Sequence, residues 1–435
     1  MDTYRCQVVS GPLDAVVRVP GSKSITNRAL IVAALADGTS LLSEVLLAKD
    51  TRLMIDALRG LGIAVTVDES DCRVEVTGCR GHIPEGSAKL LCENAGTVMR
   101  FCAALTALGY GRYELDGSER MRQRPIGALA AVLQTLGTGI EYQSKEGFPP
   151  LVVHAKGLSG GHVAFHSPES SQFVSALLLV APYASRDLFI DVTGNVTSAP
   201  YLKMTTALML AFGVSVVEQY EADRARLVVE APQRYRGETY TIEPDASNAT
   251  YFLAAAAVVG GRVTVKGLGV DSIQGDVRFV DVLEQMGCAV ERHPDRISVC
   301  GPPEGKRLRG IEVDLNHMPD TVQTLAAVAM FADGPTVIRN VANLRAKETD
   351  RLAALSRELA KVGAALEEWP DGLRIVPPAT LRPAEINTYD DHRMTMSFAV
   401  LGLKCAGLVI RDPDCCAKTF PDFFERFETL VAGSS

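Results

Sequence analysis

The chain carries no surplus of positive charge. Its 44 lysines and arginines stand against 52 acidic residues, a formal net charge of -8, which excludes general affinity for nucleic acid and makes any anion site a local one. It has no C-x-x-C pair. The 10 cysteines are scattered through apolar surroundings without ordered histidine partners, so neither zinc ligation nor disulfides are expected, and the thiols read as reduced, mostly core residues of a cytoplasmic protein. No apolar h-region follows Met1-Asp2-Thr3-Tyr4-Arg5, so no secretory signal is expected. The longest apolar runs, 252–259 and 173–184 with its interrupting serine, are too short for a bilayer span, and no membrane association is expected.

What is present suffices for two domains. The 435 residues exceed one ordinary core, and 47% hydrophobic with 22% charged residues is the balance of a soluble globular protein. Aligned on itself, the chain repeats one unit six times at a spacing of roughly seventy to seventy-six residues, the size of a small α/β module. Each unit opens on polar residues, runs through an apolar helix, and continues through small residues into a β-branched strand. The apolar helices are expected over 29–36, 99–108, 173–181, 251–259, 325–331 and 394–403. Four of them are apolar all round and must be buried on every side. Amphipathic helices ending on glycine follow at 54–62, 129–137, 202–213, 280–287 and 352–363, with strands at 63–67, 214–218 and 289–292. Six copies imply two domains of three, with the boundary near 231–238. The first strand, 4–19, is expected to pair with the last domain, so that the chain crosses twice.

The stretch from Asn343 to Arg351 packs five charged side chains into nine residues: Arg345, Lys347, Glu348, Asp350 and Arg351. If a helix starts near Lys347, then Lys347 and Arg351 lie one turn apart with Glu348 beside them, able to hold an anion with help from the helix dipole. A solvated first turn is the other reading.

Polar signals cluster where the other apolar helices begin. Gly21-Ser22-Lys23-Ser24-Ile25-Thr26-Asn27-Arg28 offers small residues, two cations and hydroxyls, but it lacks the glycine spacing of a Walker A loop, so an ATP site is not expected. Gly96, in Asn94-Ala95-Gly96-Thr97, could bring backbone N–H groups against an anion. Arg120, Arg122 and Arg124 follow with only Glu119 to balance them. Ser170-Ser171-Gln172 suits a phosphate or polyol, Asp390 and Asp391 precede Arg393, and Asp320 follows Pro319. Lys418 lies between apolar stretches, where an unpaired ammonium is costly. At 21–28, 94–100, 170–172, Asp320, Asp390 and Asp391 a helix cap or turn is the alternative. Together, Lys23, Arg28, Arg124, Lys347, Arg351, Arg393 and Lys418 form a set of cations suited to a small, multiply anionic substrate held in a cleft between two domains.

These motifs resemble those of 3-phosphoshikimate 1-carboxyvinyltransferases, the EPSP synthase family, over essentially the whole chain. The resemblance is carried by Pro20-Gly21-Ser22-Lys23-Ser24 with Asn27-Arg28, Asn94-Ala95-Gly96-Thr97 with Arg100, Arg124-Pro125-Ile126-Gly127, Ser170-Ser171-Gln172-Phe173, the 344–351 stretch, Asp391-His392-Arg393-Met394 and Ala417-Lys418-Thr419-Phe420-Pro421. It implies the enolpyruvyl transferase fold, an inside-out α/β barrel of two domains with three βαβαββ units each. One domain would be discontinuous, 1–20 plus 240–435, the other 21–239, with the active site in the cleft between them. It implies transfer of the enolpyruvyl group of phosphoenolpyruvate to the 5-hydroxyl of 3-phosphoshikimate, in aromatic amino-acid biosynthesis, by a monomer without metal or organic cofactor. By the same resemblance, Lys23, Ser24, Arg28, Ser170, Ser171, Gln172, Ser198, Tyr201, Asp320, Asn343 and Lys347 bind 3-phosphoshikimate. Lys23, Gly96, Arg124, Gln172, Arg351, Arg393 and Lys418 bind phosphoenolpyruvate. Asp320 is the expected general base and Glu348 the leading acid, with Lys23 assisting or competing.

Two departures stand at one helix. Phe101-Cys102 replaces a Pro-Leu common in the family, and Glu93 stands where a glycine is frequent; reduced sensitivity to the family's inhibitor glyphosate is the expectation. The alternative acceptor is UDP-N-acetylglucosamine, used by a sister enolpyruvyl transferase, but 116–123 lacks the cysteine of that family. An anion-binding scaffold is a further rival, which gives no reason for Asp320 and Glu348 among the cations.

Overall fold

The computed structural model describes residues 2–432. Its six apolar helices run Lys23–Leu35, Gly96–Ala107, Ser171–Val180, Ala246–Val259, Val322–Ala329 and His392–Gly402. Every residue of Gly96–Ala107, Val322–Ala329 and His392–Gly402 is buried, and the other three are buried but for a few terminal positions and Gln172. All six, not four, are therefore interior. Their polar residues gather at the amino-terminal turns. The first helix starts at Lys23, earlier than the apolar pattern implied, so that Lys23 to Arg28 are helical and Ser22 precedes the helix. Alanine is frequent in Lys23–Leu35, Gly96–Ala107, Val322–Ala329 and above all Ala246–Val259, because interior helices that touch helices on several sides need small side chains to approach closely.

The units of Gly96–Ala107, Ser171–Val180 and Val322–Ala329 run strand, buried helix, strand, amphipathic helix and antiparallel hairpin. The unit of Lys23–Leu35 takes its parallel strand from Thr239–Thr241 and that of Ala246–Val259 from Leu13–Val17, while that of His392–Gly402 has no hairpin among the described residues and is completed by Thr3–Arg5. The third unit shows the pattern. Gly161–His166 pairs parallel with Leu188–Thr193, Val163 opposite Ile190, and helix Ser171–Val180 makes the crossover that a parallel pair requires. After helix Ala199–Ala211, strands Val217–Glu221 and Arg224–Val229 return antiparallel, the latter pairing with Leu188–Thr193. Val163, Phe165, Ile190, Val192, Ala225 and Leu227 are buried in alternation along these strands, so one face of the sheet covers the helix layer. Among the described residues there are five sheets of four strands and one of three. The outer amphipathic helices are Lys49–Gly60, Gly127–Thr135, Ala199–Ala211, Phe279–Gln285, Arg351–Lys361 and Phe423–Ala432. Among the described residues no helix is long and apolar enough to cross a membrane.

The chain divides into two units, one of Gly21–Ile242 and one formed by the residues up to Pro20 with those from Glu243 onward. The stretch 4–19, read as one strand, is two. Thr3–Arg5 pairs antiparallel with Val409–Arg411, and Leu13–Val17 pairs parallel with Gly261–Lys266. The second crossing falls after Ile242, because Thr239–Thr241 still pairs with Thr39–Ser43. The strand placed at 214–218 begins at Val217, since Val214 is buried and its N–H bonds back to Met209 as the preceding helix closes.

The pairing of Leu13–Val17 with Gly261–Lys266 requires a glycine at its start. Gly261 has φ +83 and faces Leu13, where an added Cβ would lie 2.1 Å from the Leu13 carbonyl oxygen. Gly261→Ala is expected to lower stability by about 3 kcal/mol through steric clash and left-handed strain, read from the urea midpoint of the unit that contains it.

Candidate active site

In the unit that holds the carboxy-terminal half, one guanidinium gathers three carboxylates. Arg351 is 1% exposed. Its Nε donates to Asp391 Oδ2 at 2.8 Å, its Nη1 to Asp320 Oδ1 at 3.0 Å and its Nη2 to Glu348 Oε2 at 3.0 Å. Burial works against its charge, but Asp391, Glu348 and Asp320 outweigh that effect and hold the guanidinium above its ordinary pKa. Asp320 also meets Arg393 Nη2 at 2.8 Å and Lys347 Nζ at 3.6 Å, and Glu348 meets Lys418 Nζ at 3.5 Å. Four cations and three carboxylates thus share one buried network.

The local geometry differs from the helix expected at Lys347. A 3-10 turn covers Ala342–Ala346, and the helix begins only at Arg351, with Asp350 capping it by accepting from the Ala353 N–H at 3.1 Å. Lys347 and Arg351 therefore do not share a helical face; they meet at Asp320 instead. The five charges of this stretch divide in two. Arg345 ties Asp350 to Glu368 Oε1 and to the carbonyls of Trp369 and Pro370, a structural clamp. Lys347, Glu348 and Arg351 join the network. Asn343 lies half-buried in the 3-10 turn.

Asp320 does not cap a helix. It sits in the turn Pro319–Thr321 with both carboxylate oxygens on cations. Asp391 does cap its helix, its Oδ1 accepting from the Arg393 N–H at 2.9 Å, while the same carboxylate clamps Arg351. That second role was not legible in the sequence. Lys418, in the turn Pro413–Lys418, has the partner that its buried position required.

The other unit presents a second set. Arg28, 1% exposed, meets only neutral groups: Nε donates to Thr205 Oγ1 at 2.8 Å, Nη1 to the Ser24 carbonyl at 2.9 Å and Nη2 to Ser175 Oγ at 3.2 Å. The rings of Phe101 and Tyr201 lie 5.3 and 5.8 Å from it. Burial pushes its pKa down to about 10, still protonated at neutral pH. A buried cation with neutral partners is a strong place for an anion to bind. Lys23 lies 3.3 Å from the buried carboxylate of Asp50, which the sequence reading did not single out.

Gly96, Arg124 and Gln172 meet at one point. A Cβ on Gly96 would lie 2.5 Å from Arg124 Nη2 and 3.2 Å from Gln172 Oε1. Arg124 Nη1 donates to the Asn94 carbonyl at 2.9 Å, and Arg100 Nη2 holds the following loop through the Pro125 carbonyl at 2.6 Å. Arg122 is exposed and pairs with Asp116, while Arg120 is half-buried. Ser170 caps its helix, accepting from the Gln172 N–H at 3.2 Å, and Ser171 and Gln172 occupy the first turn. Ser198 is buried with φ +56 just before the helix that carries Tyr201.

The EPSP synthase (3-phosphoshikimate 1-carboxyvinyltransferase) family model matches residues 9–427. Relatives called 3-phosphoshikimate 1-carboxyvinyltransferase in Nostoc punctiforme and Trichormus variabilis are each 48% identical over 431 residues, 99% of this chain and 100% of theirs. One in Shewanella baltica is 48% identical over 417 residues, 95% of this chain and 96% of its own. A solved EPSP synthase from Acinetobacter baumannii shares the fold, with a TM-score of 0.79 at 24% identity over 100% of this chain and 98% of that one. Buried helices inside βαβαββ units are the fold of an enolpyruvyl transferase. The chain belongs to the EPSP synthase family.

Asp391 is the structural keystone of the first set. Asp391→Ala removes a helix cap and two bonds to a buried guanidinium, and a loss of about 3–5 kcal/mol is expected in urea unfolding.

Proposed function

We propose that this chain transfers the enolpyruvyl group of phosphoenolpyruvate to the 5-hydroxyl of 3-phosphoshikimate, releasing phosphate. The observation that carries the mechanism is the position of two carboxylates, Asp320 and Glu348, among Lys347, Arg351, Arg393 and Lys418. A binding scaffold needs the cations alone. A transferase must also move protons, and carboxylates within reach of cations suit that task.

In this reading Arg351, Arg393 and Lys418, with Lys23, Gly96, Arg124 and Gln172, hold the phosphate and carboxylate of phosphoenolpyruvate. The neutral surroundings of Arg28 and the hydroxyls of Ser24, Ser170, Ser171 and Ser198 suit 3-phosphoshikimate, with Lys23, Gln172, Asn343 and Lys347 as further donors and Tyr201 against its ring. Asp320 takes the proton of the 5-hydroxyl as its oxygen bonds to C2, and an acid, Glu348 or Lys23, protonates C3. In the second step C3 loses a proton, the C2–O bond to phosphate breaks and the double bond returns. Cations already fixed in place stabilise the charge that moves between the oxygens. A cytoplasmic monomer follows the family resemblance.

The sister reaction with UDP-N-acetylglucosamine is less well supported, since 116–123 has no cysteine and the full-length relatives carry the shikimate name. Phosphate release with 3-phosphoshikimate, run beside the sugar nucleotide, tests the reading; release with the sugar nucleotide alone would refute it. Asp320→Asn is expected to lower kcat by about a hundredfold to ten-thousandfold with substrate binding retained.

Two features support reduced glyphosate sensitivity. Glu93 adopts φ +47, a conformation that favours glycine, immediately before the turn that leads to Gly96. The helix runs uninterrupted through Phe101, where the common proline would remove a backbone donor. A glyphosate inhibition constant about tenfold or more above that of a proline-bearing relative is expected; an equal constant would refute the idea.

A further inference from the structure

Asp276 is a carboxyl that the scheme above leaves idle. It is 2% exposed, in the turn Gly275–Arg278, and its Oδ2 accepts a hydrogen bond from the Ser247 hydroxyl. Ser247 lies in the first turn of the buried helix Ala246–Val259. One turn further on that helix, at the i+4 position, the Tyr251 hydroxyl meets Arg393 Nη1 at 3.5 Å. Arg393 in turn holds Asp320 through both its side chain and its backbone carbonyl. One face of a rigid helix thus links Asp276 to the guanidinium and carboxylate of the reaction.

We propose, resting on the function given above, that Asp276 is a positioning residue that acts on phosphoenolpyruvate through Arg393. Protonated, it leaves the guanidinium's charge to the substrate; ionised, it draws that charge back and adds a negative charge behind the anion site. The groups that face it are Asp320 from the turn Pro319–Thr321, Arg393 from the helix His392–Gly402, and Asp245 and Ser247 at the start of Ala246–Val259. Burial and the negative charge of Asp320 push its pKa up, Ser247 and Arg393 push it down, and the balance stands at about 7. The carboxyl therefore changes charge near neutrality, where the surrounding arginines do not.

The sign follows. As pH rises through about 7, Asp276 ionises and kcat/KM for phosphoenolpyruvate falls, by about threefold to tenfold between about pH 6 and pH 8.5. Asp276→Asn, neutral at every pH, is expected to stay on the acid-side plateau and lose that inflection. Ser247→Ala removes the hydroxyl that favours the ionised form, so its inflection is expected at higher pH than in the unaltered enzyme. The measurement is phosphate release against pH for the three full-length proteins, with 3-phosphoshikimate saturating. An Asn variant that keeps the original inflection, or a Ser247→Ala profile unmoved, overturns the proposal and leaves Asp276 a purely structural residue. Absence of phosphate release by the unaltered enzyme would instead refute the proposed function, so the two failures are distinct.

Discussion

Arg351 is the constraint on which the buried ion-pair network of the carboxy-terminal half depends. Removing a guanidinium from water costs several kcal/mol, and the cost is offset only where carboxylates surround it with good geometry. Asp391, Asp320 and Glu348 do so from three separate elements: the start of an inner helix, a 3-10 turn and a loop. Satisfying one charge therefore sets the relative positions of all three. Arg393 and Lys418 are then drawn to the outer oxygens of the same carboxylates. The network is rigid because breaking any one pair leaves an uncompensated charge in a buried place.

Arg28 poses the same problem with the opposite solution. Its partners are hydroxyls, carbonyls and two aromatic rings, so burial is left to lower its pKa. An arginine ringed by carboxylates has its charge largely balanced within the protein, and an arginine ringed by neutral donors and acceptors does not. Phe101, a departure from the family pattern, packs against Arg28 and so belongs to this second arrangement as well as to the helix that starts at Gly96.

The inside-out construction explains why polar chemistry gathers where it does. An inner helix is covered along its length by apolar neighbours, and only its first turn opens toward polar surroundings. Ser170, Asp245 and Asp391 cap such helices, and the side chains one or two positions beyond each cap carry charge or hydrogen bonds. Capping and ligand binding then compete for the same few residues. Asp391 serves both an N–H and Arg351, which is why reading it only as a cap was incomplete.

The sequence by itself determined the six-fold repeat, the interior helices and the family. Periodicity, glycine stops and contiguous motifs are local properties that a chain displays without folding. It also showed that Lys347, Glu348 and Arg351 belong together, though for a reason that did not hold: Lys347 and Arg351 share Asp320 and Arg351 pairs with Glu348, but the three do not share a helical face. Only the tertiary structure decided that Asp50 lies beside Lys23, that Asp391 clamps Arg351, and that Asp276 reaches Arg393 by way of Ser247 and Tyr251. Each of these pairings joins residues from different elements, most of them far apart in sequence, and which buried charge meets which is settled by packing and the cost of leaving either one alone, quantities that no local pattern encodes.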